Sequence, residues 1–272
     1  MKARELDGRD QKRILAICRK DPVKSVFLAS RVETGILVNG GVGKVFGWPY
    51  RQPNSFLHVG TNLAPLSLTG ECIPAFVEAV GRRRVSQSIV GESWLVLPFW
   101  QELSKRYGLE FSQIREVRAE QPLMALFNEP RVVFNPNVRR MDWRDFPSYY
   151  LASKAMYSEE VGTVPPGDSY LSYCRWMVGT GRAFGLVQDG QVVFKADLGS
   201  SSGGVGQIQG VWLHPKLRGQ GLSAPALAGA CRIIQLEYPT ISLYVNSFNI
   251  RALRLYQALG FTQIGEFATI LY

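Results

Sequence analysis

The chain has 272 residues, 46% of them hydrophobic and 19% charged, with a formal net charge of +9. This globular composition excludes a largely disordered chain, and no run approaches the ~20 apolar residues of a membrane span. At about 150 residues per domain the length points to two domains. The charge is one-sided: residues 1–141 hold 21 basic and 13 acidic residues, whereas 142–272 hold 10 and 9.

In chain order, residues 9–19 place Ile14, Leu15, Ile17 and Cys18 on one side of a helix. The opening MKARELDGRDQKR has no apolar core and does not read as a secretory signal. Gly40-Gly41 marks a turn, and 44–48, 55–60 and 62–68 read as short strands. A helix is predicted over 71–84, with Ile73, Phe76, Val77 and Val80 inward, then a strand over 86–90. The run Arg82-Arg83-Arg84 reads as a solvated helix end, since basic residues suit a helix C-terminus. A helix over 92–107, interrupted near Pro98, and a strand over 115–124 follow. Asn-Glu-Pro and Asn-Pro-Asn turns make 126–141 a linker. Helices are expected over 143–157 and 170–180, with the loop VGTVPPGDS between them. Strands 182–188 and 191–198 flank Asp189-Gly190, a two-residue hairpin signal. Strand 204–213, helix 219–237, strand 240–245, helix 249–259 and strand 261–270 complete an α/β layer fold with a mixed sheet. Cys18, Cys72, Cys174 and Cys231 form no CxxC pair and read as reduced packing thiols of a cytoplasmic protein. His58 and His214, the only histidines, lie far apart in sequence, which argues against a zinc site or a histidine triad.

The segment Val211-Trp212-Leu213-His214-Pro215-Lys216-Leu217-Arg218-Gly219-Gln220-Gly221-Leu222-Ser223 carries chemistry. A strand ends, the chain turns, and a helix opens on Arg-Gly-Gln-Gly. Backbone N–H groups at a helix start, with the dipole behind them, suit a pyrophosphate. Glycines permit close approach, and Arg218 adds charge. Gly219 and Gly221 would equally permit tight helix–strand packing. About 25 residues on stand Leu243-Tyr244-Val245-Asn246, Asn249, Ala252, Leu255-Tyr256 and Gly260-Phe261.

Together these blocks resemble the GNAT superfamily of acyl-CoA-dependent N-acyltransferases over residues 142–272. The resemblance implies a catalytic domain over 142–272 behind an accessory domain over 1–125. It implies that backbone groups at Val211 and Leu213 hold the pantetheine of acetyl-CoA, and that an N–H there polarises the acetyl carbonyl. It implies that the amides of Arg218, Gly219, Gln220, Gly221, Leu222 and Ser223 cradle the pyrophosphate. Asn249 matches the family's cofactor-side Asn, and Tyr256 the tyrosine that protonates the departing thiolate. Asn249 would serve as well as a helix N-cap, and Tyr256 as a core aromatic.

Many relatives carry a glutamate as general base on the strand before the loop. Here the strand offers Gln207 and Gln209, on the face of Val211 and Leu213 by the period of two. Glutamine takes no proton. A water relay, the carboxylate of Tyr272, or Glu159 and Glu160 beside the acceptor are the alternatives. The first half has no Arg-Gly-Gln-Gly, yet its element order parallels the second, with Thr69-Gly70-Glu71 where the loop would be. It reads as a degenerate copy or an unrelated accessory domain. The reading is a cytoplasmic N-acetyltransferase using acetyl-CoA on a primary amine, the acceptor being a small molecule or a protein. Competing readings are a non-catalytic acyl-CoA sensor and an aminoacyl-tRNA-dependent transferase on a doubled scaffold. The absence of interleaved aromatics and the intact loop weigh against nucleic acid.

Overall fold

The computed structural model describes residues 2–38, 43–163 and 167–272. The predicted Gly40-Gly41 turn and the centre of the VGTVPPGDS loop lie outside the described residues. The chain divides into two compact units, Met1–Met124 with Tyr244–Asn249 and Gln263–Tyr272, and Ala125–Leu243 with Ile250–Thr262.

The first unit opens with β1 (Arg4–Glu5), α1 (Gln11–Cys18) and α2 (Pro22–Glu33). Helix α2, absent from the sequence reading, starts on a clear signal: Asp21 accepts from the Lys24 N–H at 3.3 Å, and Pro22 occupies the first turn. Strands β2 (Lys44–Trp48), β3 (Ser55–Val59) and β4 (Asn62–Leu66) form an antiparallel meander in unbroken register. Helix α3 (Ile73–Val80) follows a 3-10 turn at Gly70–Cys72. It stops at Gly81, whose φ of +73° suits a glycine, so the arginine run lies beyond the helix. There the Arg84 N–H donates to Glu110, its guanidinium to the carbonyls of Glu110 and Ser86, and the guanidinium lies over the Tyr272 ring.

Next come β5 (Ser88–Glu92), α4 (Ser93–Tyr107), α5 (Leu109–Ser112) and β6 (Glu116–Leu126). Helix α4 runs unbroken through Pro98, contrary to the sequence expectation. The proline forfeits one backbone bond, while Leu95, Val96, Phe99 and Leu103 bury the helix in a core shared with Phe76, Ile89 and Leu63. Truncating such a fully buried Phe costs about 3–5 kcal/mol.

The second unit comprises β7 (Arg139–Arg140), α6 (Phe146–Val161), α7 (Gly167–Gly179), β8 (Ala183–Gln188), β9 (Gln191–Ser202), β10 (Val205–Leu213), α8 (Ser223–Gln235), β11 (Thr240–Tyr244) and α9 (Ile250–Leu259). The last strand, β12 (Thr262–Leu271), belongs almost wholly to the first unit, although the sequence reading placed it with 142–272. Antiparallel pairing with β5, from Phe267↔Glu92 to Leu271↔Ser88, holds it there. The strand order is β1-β2-β3-β4-β5-β12-β6 in the first unit and β11-β10-β9-β8-β7 in the second. Each unit thus repeats helices, a three-strand meander, a helix and a parallel strand. Asp189 and Gly190 close the β8–β9 hairpin with φ of +49° and +74°, as the sequence signal requires. All four cysteines are buried and unpaired. No helix among the described residues is long and apolar enough to cross a membrane.

Candidate active site

Strand β10 builds the site. It pairs in parallel with β11 only at Val205↔Thr240, Gly206↔Ile241 and Gln207↔Ser242. Beyond Gln207 the pairing stops, while β10 continues to Leu213 along β9. A parallel pair that separates leaves a cleft edged by backbone N–H and C=O groups, which an extended ligand can pair with.

Two register shifts interrupt the β9–β10 ladder, between Gln207 and Ile208 and between Gln209 and Trp212. At the second, Gly210 and Val211 together face Ala196, and Gly210 takes a φ of +59°. A strict period of two therefore does not carry from Gln207 to Leu213, and the shared face expected for Gln207, Gln209, Val211 and Leu213 is broken. Gln207 is buried, and the Gln209 amide donates to the Tyr173 hydroxyl of α7.

After β10, His214 Nδ1 accepts from the Lys216 N–H at 3.3 Å and starts a 3-10 turn over Pro215–Leu217. Arg218 is extended, Gly219 has φ +79° and Gly221 φ +76°. A Cβ on either glycine would meet nothing within 4 Å. Packing therefore does not demand these glycines; the left-handed backbone does, and open space lies on the side a Cβ would take. Helix α8 begins at Ser223 rather than 219, and no side chain caps it. Its first-turn N–H groups and dipole present a positive end to an anion.

The Arg218 side chain turns back. Its Nε donates to the Leu213 carbonyl at 3.0 Å and its Nη2 to Glu159 at 2.7 Å. Glu159 also accepts from Trp212 Nε1 at 3.1 Å. Glu159 and Glu160 lie in the last turn of α6, not in the loop beyond it. Glu159 is thus engaged as the partner of Arg218 and Trp212.

Tyr256 is buried in α9 and packs against Phe261 with ring centroids 5.9 Å apart. Burial first, then the nearby Glu160, raises its pKa and keeps the phenol protonated. Asn249 immediately precedes α9, and its N–H donates to the Asn246 carbonyl at 2.9 Å; it is counted with the first unit. Tyr272 also lies in the first unit, its N–H bonded to the Gln87 carbonyl at 3.0 Å.

The sequence reading missed one cluster. Lys195 and Asp197 of β9 are both buried, with Nζ 2.5 Å from Oδ2. The Tyr149 hydroxyl of α6 donates to Asp197 Oδ1 at 3.0 Å, and Lys195 Nζ donates to the Gly210 carbonyl at 3.0 Å. Burial raises the Asp197 pKa against the pull of Lys195 and Tyr149. The visible signal was two charges, at i and i+2, inside the apolar run Val192-Val193-Phe194-Lys195-Ala196-Asp197-Leu198.

The parallel pair β10–β11 that separates, the glycine-rich turn and the helix start without a side-chain cap thus follow one another on an α/β scaffold. Residues 136–261 match the family model described as "Acetyltransferase (GNAT) family", and residues 43–149 one described as "Domain of unknown function (DUF4081)". No curated protein matches the sequence. Among solved structures, an acetyltransferase of the GNAT family from Colwellia psychrerythraea is similar at 11% identity, covering 100% of both chains with a TM-score of 0.60. A GCN5-related N-acetyltransferase from Sphaerobacter thermophilus is similar at 16% identity, covering 98% of this chain and 94% of its own, with a TM-score of 0.62. A tandem GNAT protein from the clavulanic acid biosynthesis pathway is similar at 12% identity, covering 98% and 97%, with a TM-score of 0.55. At these identities the structures share the fold, and they share it across the whole chain. The C-terminal part of this chain is a GNAT acetyltransferase domain, and the protein is an acyltransferase of that class.

Proposed function

We propose that the second unit transfers an acetyl or related short acyl group from acyl-CoA to a primary amine by direct attack. The observation that carries this reading is the turn between β10 and α8: two left-handed glycines with open space beside them lead into a helix that no side chain caps. The pyrophosphate would lie on the amides of Gly219, Gln220, Gly221, Leu222 and Ser223. Acyl-CoA supplies a thioester, which the separated edge of β10 would hold through backbone groups of Val211 and Leu213. The Val211 N–H would stabilise negative charge as it develops on the acyl oxygen. As the C–N bond forms and the C–S bond breaks, the Tyr256 hydroxyl would give its proton to the departing sulfur. Gln207 and Gln209 accept no proton, so the acceptor arrives as the neutral amine and loses its proton to water, and a proton from water restores the Tyr256 hydroxyl.

Thermal unfolding with and without acetyl-CoA tests this. At 100 times its dissociation constant the ligand stabilises the wild type by ~2.7 kcal/mol. Gly221→Glu sets a carboxylate and a strained backbone at the phosphate position, and the folded variant shows no shift. An amine screen for released CoA thiol then completes the test. Binding without thiol release makes the domain an acyl-CoA sensor; absence of binding by the wild type turns the search to charged tRNA.

A further inference from the structure

Lys195 sits where a charge is costly. It is fully buried, and exchanging a buried ion pair for apolar residues is often neutral or stabilising. Stability alone therefore gives a weak account of the Lys195–Asp197 pair. Its contacts give a stronger one. The ammonium donates to Asp197 Oδ2 at 2.5 Å and to the Gly210 carbonyl at 3.0 Å, and lies 5.4 Å from the Tyr149 ring centroid. Asp197 is in turn held by the Tyr149 hydroxyl at 3.0 Å. The donor is thus fixed on three sides.

Its acceptor is the bulge. Gly210 is one of the two residues facing Ala196, so its carbonyl is removed from the regular ladder and needs another donor. Lys195 supplies it. The Gly210–Val211 peptide is trans, so its N–H points opposite to its C=O. Anchoring the carbonyl on Lys195 therefore aims the Val211 N–H the other way. A cation on a peptide oxygen also draws charge along the amide and makes its N–H a stronger donor, most effectively where the dielectric is low.

We infer that Lys195 is a positioning residue for acyl transfer: gripped by Asp197 and Tyr149, its buried ammonium fixes and polarises the Gly210–Val211 peptide, whose N–H receives the acyl oxygen. This rests on the acyl-CoA reading above, and deepens it by assigning a source for the electrophilic pull.

The test uses the full chain and acetyl-CoA labelled with carbon-13 at the carbonyl, followed by isotope-edited infrared spectroscopy. In the wild type the bound thioester C=O band moves to lower frequency than in free acetyl-CoA. The double variant Lys195→Met/Asp197→Leu removes the pair without stranding a buried charge. It is expected to bind acetyl-CoA within about threefold of wild type, since backbone contacts to the rest of the ligand remain, while its band returns toward the free value. If the double variant does not fold, Lys195→Gln keeps a donor for the Gly210 carbonyl without the charge, and its band is expected between the two. A band equally displaced in wild type and in the folded variant overturns the assignment and leaves the acyl-CoA reading intact. No binding by the wild type removes both.

Discussion

The two units place the same kind of turn at the same point and close it differently. In the first, β4 pairs in parallel with β5 only at Asn62↔Ser88 and Leu63↔Ile89, much as β10 pairs briefly with β11. The turn after β4, however, is filled by its own side chains. The Ser67 hydroxyl donates to the Thr69 carbonyl at 2.7 Å and accepts the Thr69 N–H at 3.2 Å, and it also meets the Ser55 hydroxyl. Glu71 places a negative charge in the first turn. Strand β4 also keeps perfect register with β3, so it has no bulge. Neither helix that follows has a side-chain cap, but after β10 the loop has two left-handed glycines, and the strand before it has a bulge whose Gly210 carbonyl accepts from the buried Lys195. On the proposed reading, the scaffold alone does not make an anion site; the left-handed backbone of the Gly219–Gly221 turn does.

The largest test of this contrast concerns chemistry. If only the second unit reacts, Tyr256→Phe removes the proposed proton donor and leaves the Gly219–Gly221 turn untouched. A general acid contributes roughly 10²–10⁴-fold, so kcat is expected to fall in that range while the acetyl-CoA dissociation constant stays the same. Burial raises the tyrosine's pKa, so it remains protonated and sets no alkaline limb below about pH 10. The kcat/KM profile should then follow the amine's own ionisation. Thiol-release kinetics from pH 6 to 9.5 read both effects, and a fall confined to KM would assign Tyr256 to packing.

Much of this was legible. The hairpin at Asp189-Gly190, the turn Arg218–Ser223 and the helix carrying Tyr256 followed from local signals that tertiary packing does not override. The bulge was not. It depends on the pairing of β10 with β9, and a one-residue shift cannot be read from one strand's alternation. Likewise β12 follows α9 in the chain but pairs with β5, far earlier in sequence. Helix α2 was readable from Asp21-Pro22, a cap followed by a first-turn proline. The partners of Glu159 could not be inferred, since Arg218 lies 59 positions away.

A middle-sized effect separates the units by pH. His58 of β3 is buried in the first unit, its Nδ1 2.9 Å from the Asn62 carbonyl and its ring edge-on to Phe27. Burial, with Arg31 nearby, lowers its pKa from 6.5 to about 4, against the opposing pull of the Asn62 carbonyl. The unfolded chain therefore binds this proton at higher pH than the folded one. Stability is fully present above pH 6.5 and declines as pH falls from about 6.5 to 4, by about 3 kcal/mol. His58→Gln removes that slope. Chemical denaturation of both proteins at pH 7 and pH 4.5 checks this, and identical slopes would return the acid sensitivity to other groups.

The smallest effect decides what Glu159 does. As a general base its loss would cut kcat/KM by roughly 10²-fold or more. The geometry argues otherwise: both carboxylate oxygens are used, Oε1 by Trp212 and Oε2 by Arg218. With side chains 43% and 32% exposed, the Glu159–Arg218 pair contributes at most about 1 kcal/mol. Glu159→Gln is therefore expected to leave kcat within about twofold, well short of the loss of a base. It also frees the Arg218 charge beside the pyrophosphate turn, so acetyl-CoA binding should tighten by up to about fivefold at low salt, and less at high salt. Titration calorimetry at two salt concentrations measures this. A collapse of turnover with unchanged affinity would instead make Glu159 the base, and the amine's proton would then leave through α6 rather than to water.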